Sequence, residues 1–274
     1  MALRIQTSNF GNDKTIRYDF NENKKYNYMS HMHQHIELTI LFDGEVEITV
    51  DEKAETLHPG QAALIFPFQP HEYKSSAPNT MAIFVFPSSI LPEFFKSVEG
   101  KSANEFAFSL DPQTLASFNE RVISRKEKSI YDIKGCLYFA LTDFLQQVEF
   151  FPASKKNNMP AVIVDYITRH LNEETTLEAV ANELGYSPKY LSNCIAKLFG
   201  MNFSALVANI RVDKARYLLR NTELSRAQVC YECGFGSERS FHRQFKQVMN
   251  FSPEEYRKEF LHKNISDPQR FTFE

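Results

Sequence analysis

The stretch Val229-Cys230-Tyr231-Glu232-Cys233-Gly234-Phe235 reads as the end of a helix followed by a glycine stop, and it has a near-copy forty-nine positions earlier. Val180, Glu183, Gly185 and Tyr186 correspond to Val229, Glu232, Gly234 and Phe235. After one inserted residue, Ser187, Leu191, Ile195 and Leu198 correspond to Ser237, Phe241, Phe245 and Val248. A duplication of this kind marks a repeated supersecondary unit. Gly185 and Gly234 suit the left-handed residue that ends a helix, Ser187 and Ser237 suit the cap of the next one, and Pro188 sits at the tolerated first helical position. Each copy is therefore a helix, a short turn and a second helix. That outline is shared by DNA-reading helix-turn-helix units and by other helical hairpins.

Outward from the repeat, Phe203 to about Arg220 forms a connecting helix of about 26 Å. A rod of that length holds two reading helices close to the roughly 34 Å of one DNA turn, which points to double-stranded DNA gripped in two adjacent major grooves. Within the second helices, Leu191, Ile195 and Leu198, like Phe241, Phe245 and Val248, recur every three or four residues and belong to the core. The candidate DNA-contacting residues are Lys189, Tyr190, Ser192 and Asn193 in the first unit and Ser237, Arg239, Ser240, His242, Arg243 and Lys246 in the second. A cationic cluster on an anonymous helix is usually a solvated face; inside a duplicated helix-turn-helix it points to nucleic acid.

Residues 160–260 resemble the DNA-binding domain of AraC/XylS-type transcription regulators. The resemblance rests on Val229–Phe235, on Ser240-Phe241-His242-Arg243-Gln244-Phe245-Lys246 and on Ser252-Pro253-Glu254-Glu255-Tyr256-Arg257. Upstream it continues through Ser187–Ser192 and Arg211-Val212-Asp213-Lys214-Ala215-Arg216-Tyr217-Leu218-Leu219. Asn193 and Ala196 stand where the family usually carries basic residues, Cys230 replaces a usual alanine and Asn250 a usual glycine. The resemblance implies a bacterial, sequence-specific regulator that acts as a homodimer, responds to a small-molecule effector and has RNA polymerase as a possible partner.

The first half reads differently. Ile36–Phe42 runs to an Asp43-Gly44 turn, and Val46–Val50 then alternates apolar and polar residues, an antiparallel hairpin signature. Ala62–Phe66 and Met81–Phe86 supply further strands, so a small closed β-barrel is expected. After Pro92 the apolar spacing becomes helical, around Gln113–Arg125 and Lys134–Val148. Residues 151–159 mix proline, charge and amides without periodicity and read as a linker. The expected fold is multi-domain, β then α: 1–150 a cupin-like effector-sensing and dimerisation domain, 160–263 an all-α domain with two helix-turn-helix units.

His31, His33, Glu37 and later His71 fall on the spacing of the cupin metal motif, and residues two apart on a strand, His35 included, share a face. Imidazole and carboxylate ligands of this kind suit first-row metals. The second half of the motif is degraded, with Phe66 and Phe68 in place of the expected proline and glycine. Sensor barrels of AraC-type regulators resemble this segment and usually hold no metal. His31, His33, Glu37 and His71 are therefore read as an effector site for a sugar or related polar metabolite, with no metal, cofactor or catalytic residue expected. A metal-dependent cupin enzyme with an accessory helical domain is the competing reading.

Bulk properties bound these readings. With 274 residues and 43% hydrophobic content, the chain can bury the cores of about two domains. A net charge of −3 hides an asymmetry: residues 160–263 carry fourteen lysines and arginines against twelve acids, which permits DNA binding without establishing it. Four cysteines without regular spacing fit a reducing compartment, and Cys230 and Cys233 lie inside an expected helix with no second pair for zinc. No leader and no membrane-spanning run is evident, so a cytoplasmic location without membrane contact is expected.

Overall fold

The computed structural model describes residues 4–6, 15–153, 159–173, 175–262 and 269–272. The chain divides into two compact units, a β-rich one of Phe10–Ser154 with Pro268–Glu274 and a helical one of Lys155–Asp267 with Met1–Asn9. Residues 154–158 of the expected linker lie outside the described residues, and its first two, Phe151 and Pro152, belong to a short strand.

The strands are β1 (Arg4–Gln6), β2 (Thr15–Lys24), β3 (Tyr28–His33), β4 (Ile36–Asp43), β5 (Val46–Val50), β6 (Lys53–Leu57), β7 (Gln61–Ile65), β8 (His71–Lys74), β9 (Asn79–Phe86), β10 (Lys101–Ala103), β11 (Ala107–Ser109), β12 (Phe150–Pro152) and β13 (Gln269–Thr272). One sheet runs β11-β7-β4-β9-β2-β13. Opposite it lie β3, β8, β5 and β6 in that order, while β10 pairs with β12. Along β4, Ile36, Leu38 and Ile40 point away from the barrel, together with Leu64, Phe84 and Phe86 of the neighbouring strands. They pack under α1 (Pro92–Val98), α2 (Pro112–Phe118) and α3 (Ile130–Gln147), whose Phe94, Phe118, Leu137, Leu141 and Phe144 close this core. The alternate residues Leu41, Ile65, Ile83 and Val85 face inward against Val46, Ile48, Val50 and Tyr73 of the second sheet. A sheet covered on both faces reads as continuous apolar runs, as these strands do.

The hairpin expected between Ile36–Phe42 and Val46–Val50 does not form. β4 is hydrogen-bonded along both edges, to β7 and β9, and has none left for β5. The chain instead turns a corner at Gly44, whose φ of 81° and approach to the Pro78 carbonyl exclude a side chain, and β5 crosses to the other sheet. The hairpin forms one strand later. Asp51 and Glu52, both at positive φ, make the two-residue turn from β5 to β6, with Val50 opposite Lys53.

The helical unit comprises α4 (Met159–Arg169), α5 (Leu177–Glu183), α6 (Pro188–Phe199), α7 (Phe203–Asn221), α8 (Arg226–Glu232), α9 (Glu238–Met249) and α10 (Pro253–His262). Its repeat is realised as read. Gly185 and Gly234 follow α5 and α8 at φ 70° and 73°; the Ser187 hydroxyl accepts from the Tyr190 amide at 3.3 Å and Ser237 from Ser240 at 3.2 Å. Gly200 and Asn250 close α6 and α9 in the same left-handed conformation, so asparagine serves where glycine is usual. Leu191, Ile195, Phe241 and Phe245 are buried, and Leu198 and Val248 half-buried.

The two turn glycines carry unequal constraints. A Cβ on Gly185 would meet nothing within 4 Å, whereas one on Gly234 would lie 1.8 Å from the Leu171 carbonyl oxygen. Gly185→Ala should therefore cost only the left-handed conformation, about 1–2 kcal/mol. Gly234→Ala adds a backbone collision and should cost at least about 3 kcal/mol. Urea unfolding followed by circular dichroism checks the order, and equal losses would mean that α4 and α8 do not approach as described.

Candidate functional site

Several arginines of the helical unit are engaged within it. Arg211 donates to the Leu171 carbonyl at 3.0 Å; Arg257 donates to the carbonyls of Leu219 at 3.2 Å and Leu224 at 2.6 Å. Arg216 pairs with the buried Asp213, and Arg226 bridges Glu238 at 2.7 Å and Glu254 at 2.5 Å. Arg211, Arg226 and Arg257 thus tie helices to their neighbours, while the Arg216–Asp213 pair lies within α7. On α9, Arg239, His242, Arg243 and Lys246 are all exposed, and among the described residues none has a carboxylate within salt-bridge distance. They occupy one face of the helix, opposite the buried Phe241 and Phe245. Ser237 caps the helix, and half-buried Ser240 accepts from Gln244 at 3.0 Å, so both hydroxyls already have partners within the helix.

The corresponding face of α6 is nearly neutral. Lys189, Tyr190 and Asn193 are exposed and Ser192 half-buried, with the Tyr190 ring against that of Tyr186 at 5.1 Å. Cys230 and Cys233 lie in the core of the second unit. Burial raises both thiols, Cys233 to about 12, which keeps them protonated and inert as expected of small core residues.

In the barrel, His31, His33, Glu37 and His71 come together as expected, all buried, with their ligand atoms within 4.8 Å of one another. They reach the centre from both sheets. His31 and His33 share a face of β3, His71 is the cross-strand partner of His31 on β8, and Glu37 projects from the inward face of β4. His35 is not part of the cluster: β3 ends at His33, the chain bends, and the His35 carbonyl accepts from His33 Nδ1 at 2.9 Å. The other two imidazoles are held alike, His31 Nδ1 by the Met29 carbonyl at 3.1 Å and His71 Nδ1 by the Gln69 carbonyl at 2.8 Å. A carbonyl can only accept, so the rings of His31 and His71 carry a proton on Nδ1 and turn Nε2 inward, whereas both nitrogens of His33 face acceptors, the His35 carbonyl and the Glu37 carboxylate. His33 Nε2 lies 3.2 Å and His71 Nε2 3.7 Å from the Glu37 carboxylate, and the latter nitrogen has no hydrogen-bond partner.

Two inward residues were overlooked in the sequence. The Tyr73 hydroxyl donates to Glu37 Oε1 and lies 2.7 Å from Thr39 Oγ1. The signal was present, since Tyr73 follows His71 by two positions and Thr39 follows Glu37 by two. Burial lowers the pKa of His31 and His33 from the ordinary imidazole value. For Glu37 burial works upward, but the imidazoles of His71 and His33 outweigh it and hold the carboxyl well below its ordinary range.

A helix-turn-helix domain model matches residues 180–259, and a cupin domain model matches residues 24–87. The chain is 22% identical over 269 residues to the melibiose operon regulatory protein of Escherichia coli strain K12, covering 89% of this chain and 86% of that protein. This chain is an AraC-family transcription regulator. The regulator is also 32% identical over 104 residues to the HTH-type transcriptional activator RhaS of Salmonella arizonae, covering 38% of this chain and 36% of the relative. Its fold resembles the solved structure of ToxT from Vibrio cholerae, with a TM-score of 0.59 and 16% identity over 89% of this chain and 98% of that one. A ToxT structure with bound unsaturated fatty acid gives 0.58 and 14% over 90% of this chain and 95% of that one. Family membership makes this a DNA-binding regulator and sets aside the competing cupin-enzyme reading. No single helix among the described residues is long and apolar enough to cross a membrane.

The capping serine of α9 offers a check on how that helix is built. Ser237→Ala removes one N-cap bond and should cost about 1 kcal/mol of stability. Ser237→Asp should recover it, read as the melting temperature of the full chain.

Proposed function

We propose that the regulator reads promoter DNA in two adjacent major grooves with α6 and α9, the latter supplying the electrostatic anchor, and that a small polar effector held by His31, His33, Glu37 and His71 modulates this binding. The observation that carries the reading is the exposed face of Arg239, His242, Arg243 and Lys246, with no carboxylate within salt-bridge distance among the described residues, in a unit where Arg211, Arg226 and Arg257 tie helices together. Lys189, Tyr190, Ser192 and Asn193 give α6 a role in register and modest specificity, with Asn193 suited to adenine. Ser237 and Ser240 lie at the start of α9, where the helix N-terminus and backbone amides favour phosphate. The protein works in the cytoplasm, without membrane contact, where its occupied promoter would present it to RNA polymerase.

A homodimer is part of this reading. On α3, Tyr131, Tyr138 and Leu145 recur every seven residues and remain exposed, Tyr131 by 85%, with Phe139 beside them at 55%. Gly135 between them has nothing near its Cα direction and permits close helix approach. Seven-residue spacing is that of a helix–helix seam. Replacing Phe139 by Glu should weaken dimerisation at least tenfold in sedimentation equilibrium while the melting temperature stays within a few degrees, because the side chain is outside the core.

The division of labour between the reading helices is tested on one promoter fragment at two salt concentrations. Arg243→Ala should lose about 1–3 kcal/mol of binding, and where its contact is to phosphate the salt slope should flatten by about 0.9. Asn193→Ala should lose less and leave the slope unchanged. A larger loss for Asn193→Ala would overturn the assignment of α9 as the anchor.

A further inference from the structure

The twelve residues of α9 include one acid, Glu238, which stands at the head of the helix beside the exposed Arg239. Residues four apart on a helix are neighbours, so a Glu238 side chain left to itself would reach His242 on the next turn. It is held elsewhere. Arg226, the first residue of α8, donates from Nε to Glu238 Oε2 at 2.7 Å and from Nη1 to Glu254 Oε1 of α10 at 2.5 Å. A planar guanidinium meets two carboxylates at once in fixed directions, which a lysine ammonium does not. A second carboxylate near this face is committed too. Glu255 accepts from the Ser252 amide at 2.7 Å, and its own amide donates to the Ser252 hydroxyl at 3.1 Å, which together cap α10. The Glu255 carboxyl is held below its ordinary range first by Ser252 and then by the charges of Lys246 and His242, so it lies near the face yet stays tied to the cap. Arg226, Glu238 and Glu254 are 45%, 46% and 63% exposed, and ion pairs so exposed add little to stability. Holding the fold together does not account for the arrangement.

We propose that Arg226 is a positioning residue for DNA reading: it draws the Glu238 carboxylate towards α8 and so leaves Arg239, His242 and Arg243 available to phosphates and base edges. This rests on the reading of α9 as the DNA anchor and adds to it a residue outside the reading helix. Without Arg226 both carboxylates lose this partner. Glu238 then has Arg239 and His242 of its own helix as new ones, whereas Glu254 has Lys258 one turn along α10. A carboxylate released onto α9 opposes binding in two ways. It takes up a cation that DNA would otherwise engage, and it puts negative charge at the helix N-terminus, where phosphate is otherwise favoured. The lack of a carboxylate partner on the reading face is thus produced by the neighbouring helix, which engages the acid that α9 itself carries.

The test is a double-mutant cycle in the full chain, read as affinity for the promoter fragment used with Arg243→Ala. Arg226→Ala should weaken binding about threefold, while the melting temperature falls by no more than a few degrees because the lost pairs are exposed. Glu238→Gln alone should bind close to wild type. With Glu238 replaced there is no carboxylate on α9 for Arg226 to hold, so adding Arg226→Ala to Glu238→Gln should cost nothing further. Adding it to Glu254→Gln should cost as much as in the wild type. Coupling of this kind in DNA affinity, with melting temperatures unmoved, is not produced by a merely structural role. If Arg226 met phosphate itself, its removal would cost the same with or without Glu238, and that additive result overturns the proposal. So does an Arg226→Ala variant that binds as wild type, or equal rescue by Glu254→Gln. An Arg243→Ala variant that binds as wild type would instead overturn the reading of α9 as the anchor, and this inference with it, so the two failures are told apart by which arginine is silent.

Discussion

The β-rich unit depends on the strict two-residue alternation of β4. Ile36, Leu38 and Ile40 on one face are fully buried beneath the helices, and Leu41 on the other is buried in the barrel, each worth about 1.5–3 kcal/mol when removed from water. A slip of one residue would carry Glu37 and Thr39 under the helices and is excluded by that cost. The register that seats the hydrophobic core thus also delivers Glu37 to the centre of the barrel, opposite imidazoles from the other sheet. A carboxylate in such a place would ordinarily be expelled, yet its two oxygens are met by His33, His71 and Tyr73. Site and core are set by the same strand.

A comparable economy holds the helical unit together. The core of the second helix-turn-helix is a stack of Phe235, Phe241, Phe245 and Tyr256, with successive ring centroids 5.0, 5.7 and 5.6 Å apart. Arg211 lies over Phe235 at 5.9 Å while donating to Leu171, whose carbonyl is the atom that forbids a side chain at Gly234. One carbonyl therefore fixes both the approach of α7 and the tightness of the turn into α9. The angle at which α9 leaves that turn is set by backbone contacts rather than by its surface residues, which leaves that surface free to vary without disturbing the fold.

Much of this was legible in the sequence, and the reasons differ by element. The helical repeat could be read because its determinants are local: a glycine needing positive φ, a serine cap three residues before the amide it accepts from, and apolar residues at helical spacing. The barrel was legible as strands but not as pairings. β4 and β5 flank a good turn sequence, and only knowledge that β7 and β9 occupy both edges of β4 reveals that the turn is a corner between sheets. β2 carries its own signal, with Ile16, Tyr18 and Phe20 alternating with Arg17 and Asp19, but no turn sequence of the kind that flagged the strands from Ile36 onward stands beside it. The four barrel residues were found from spacing, whereas the hydrogen bonds that orient them involve backbone carbonyls, which carry no sequence signal.

The two helix-turn-helix units separate what makes a fold from what makes a binding surface. Their caps, turn glycines and buried positions agree almost residue for residue, and the backbone answers with nearly the same φ at each glycine, 70° and 73°. Their outer faces share almost nothing: Lys189, Ser192 and Asn193 stand against Arg239, His242, Arg243 and Lys246. Cores tolerate little change because each buried group is matched in volume to its neighbours, while exposed positions are within about 0.5 kcal/mol of neutral for stability. Stability therefore does not dictate charge on α9, and a protein of net charge −3 that gathers Arg239, Arg243 and Lys246 on one exposed helix face bears a like-charge penalty there that its fold does not require. A face of that kind is suited to a polyanion, whose condensed counterions it could displace, and the corresponding face of α6 offers only Lys189, so the two halves of the duplication differ in charge rather than in fold.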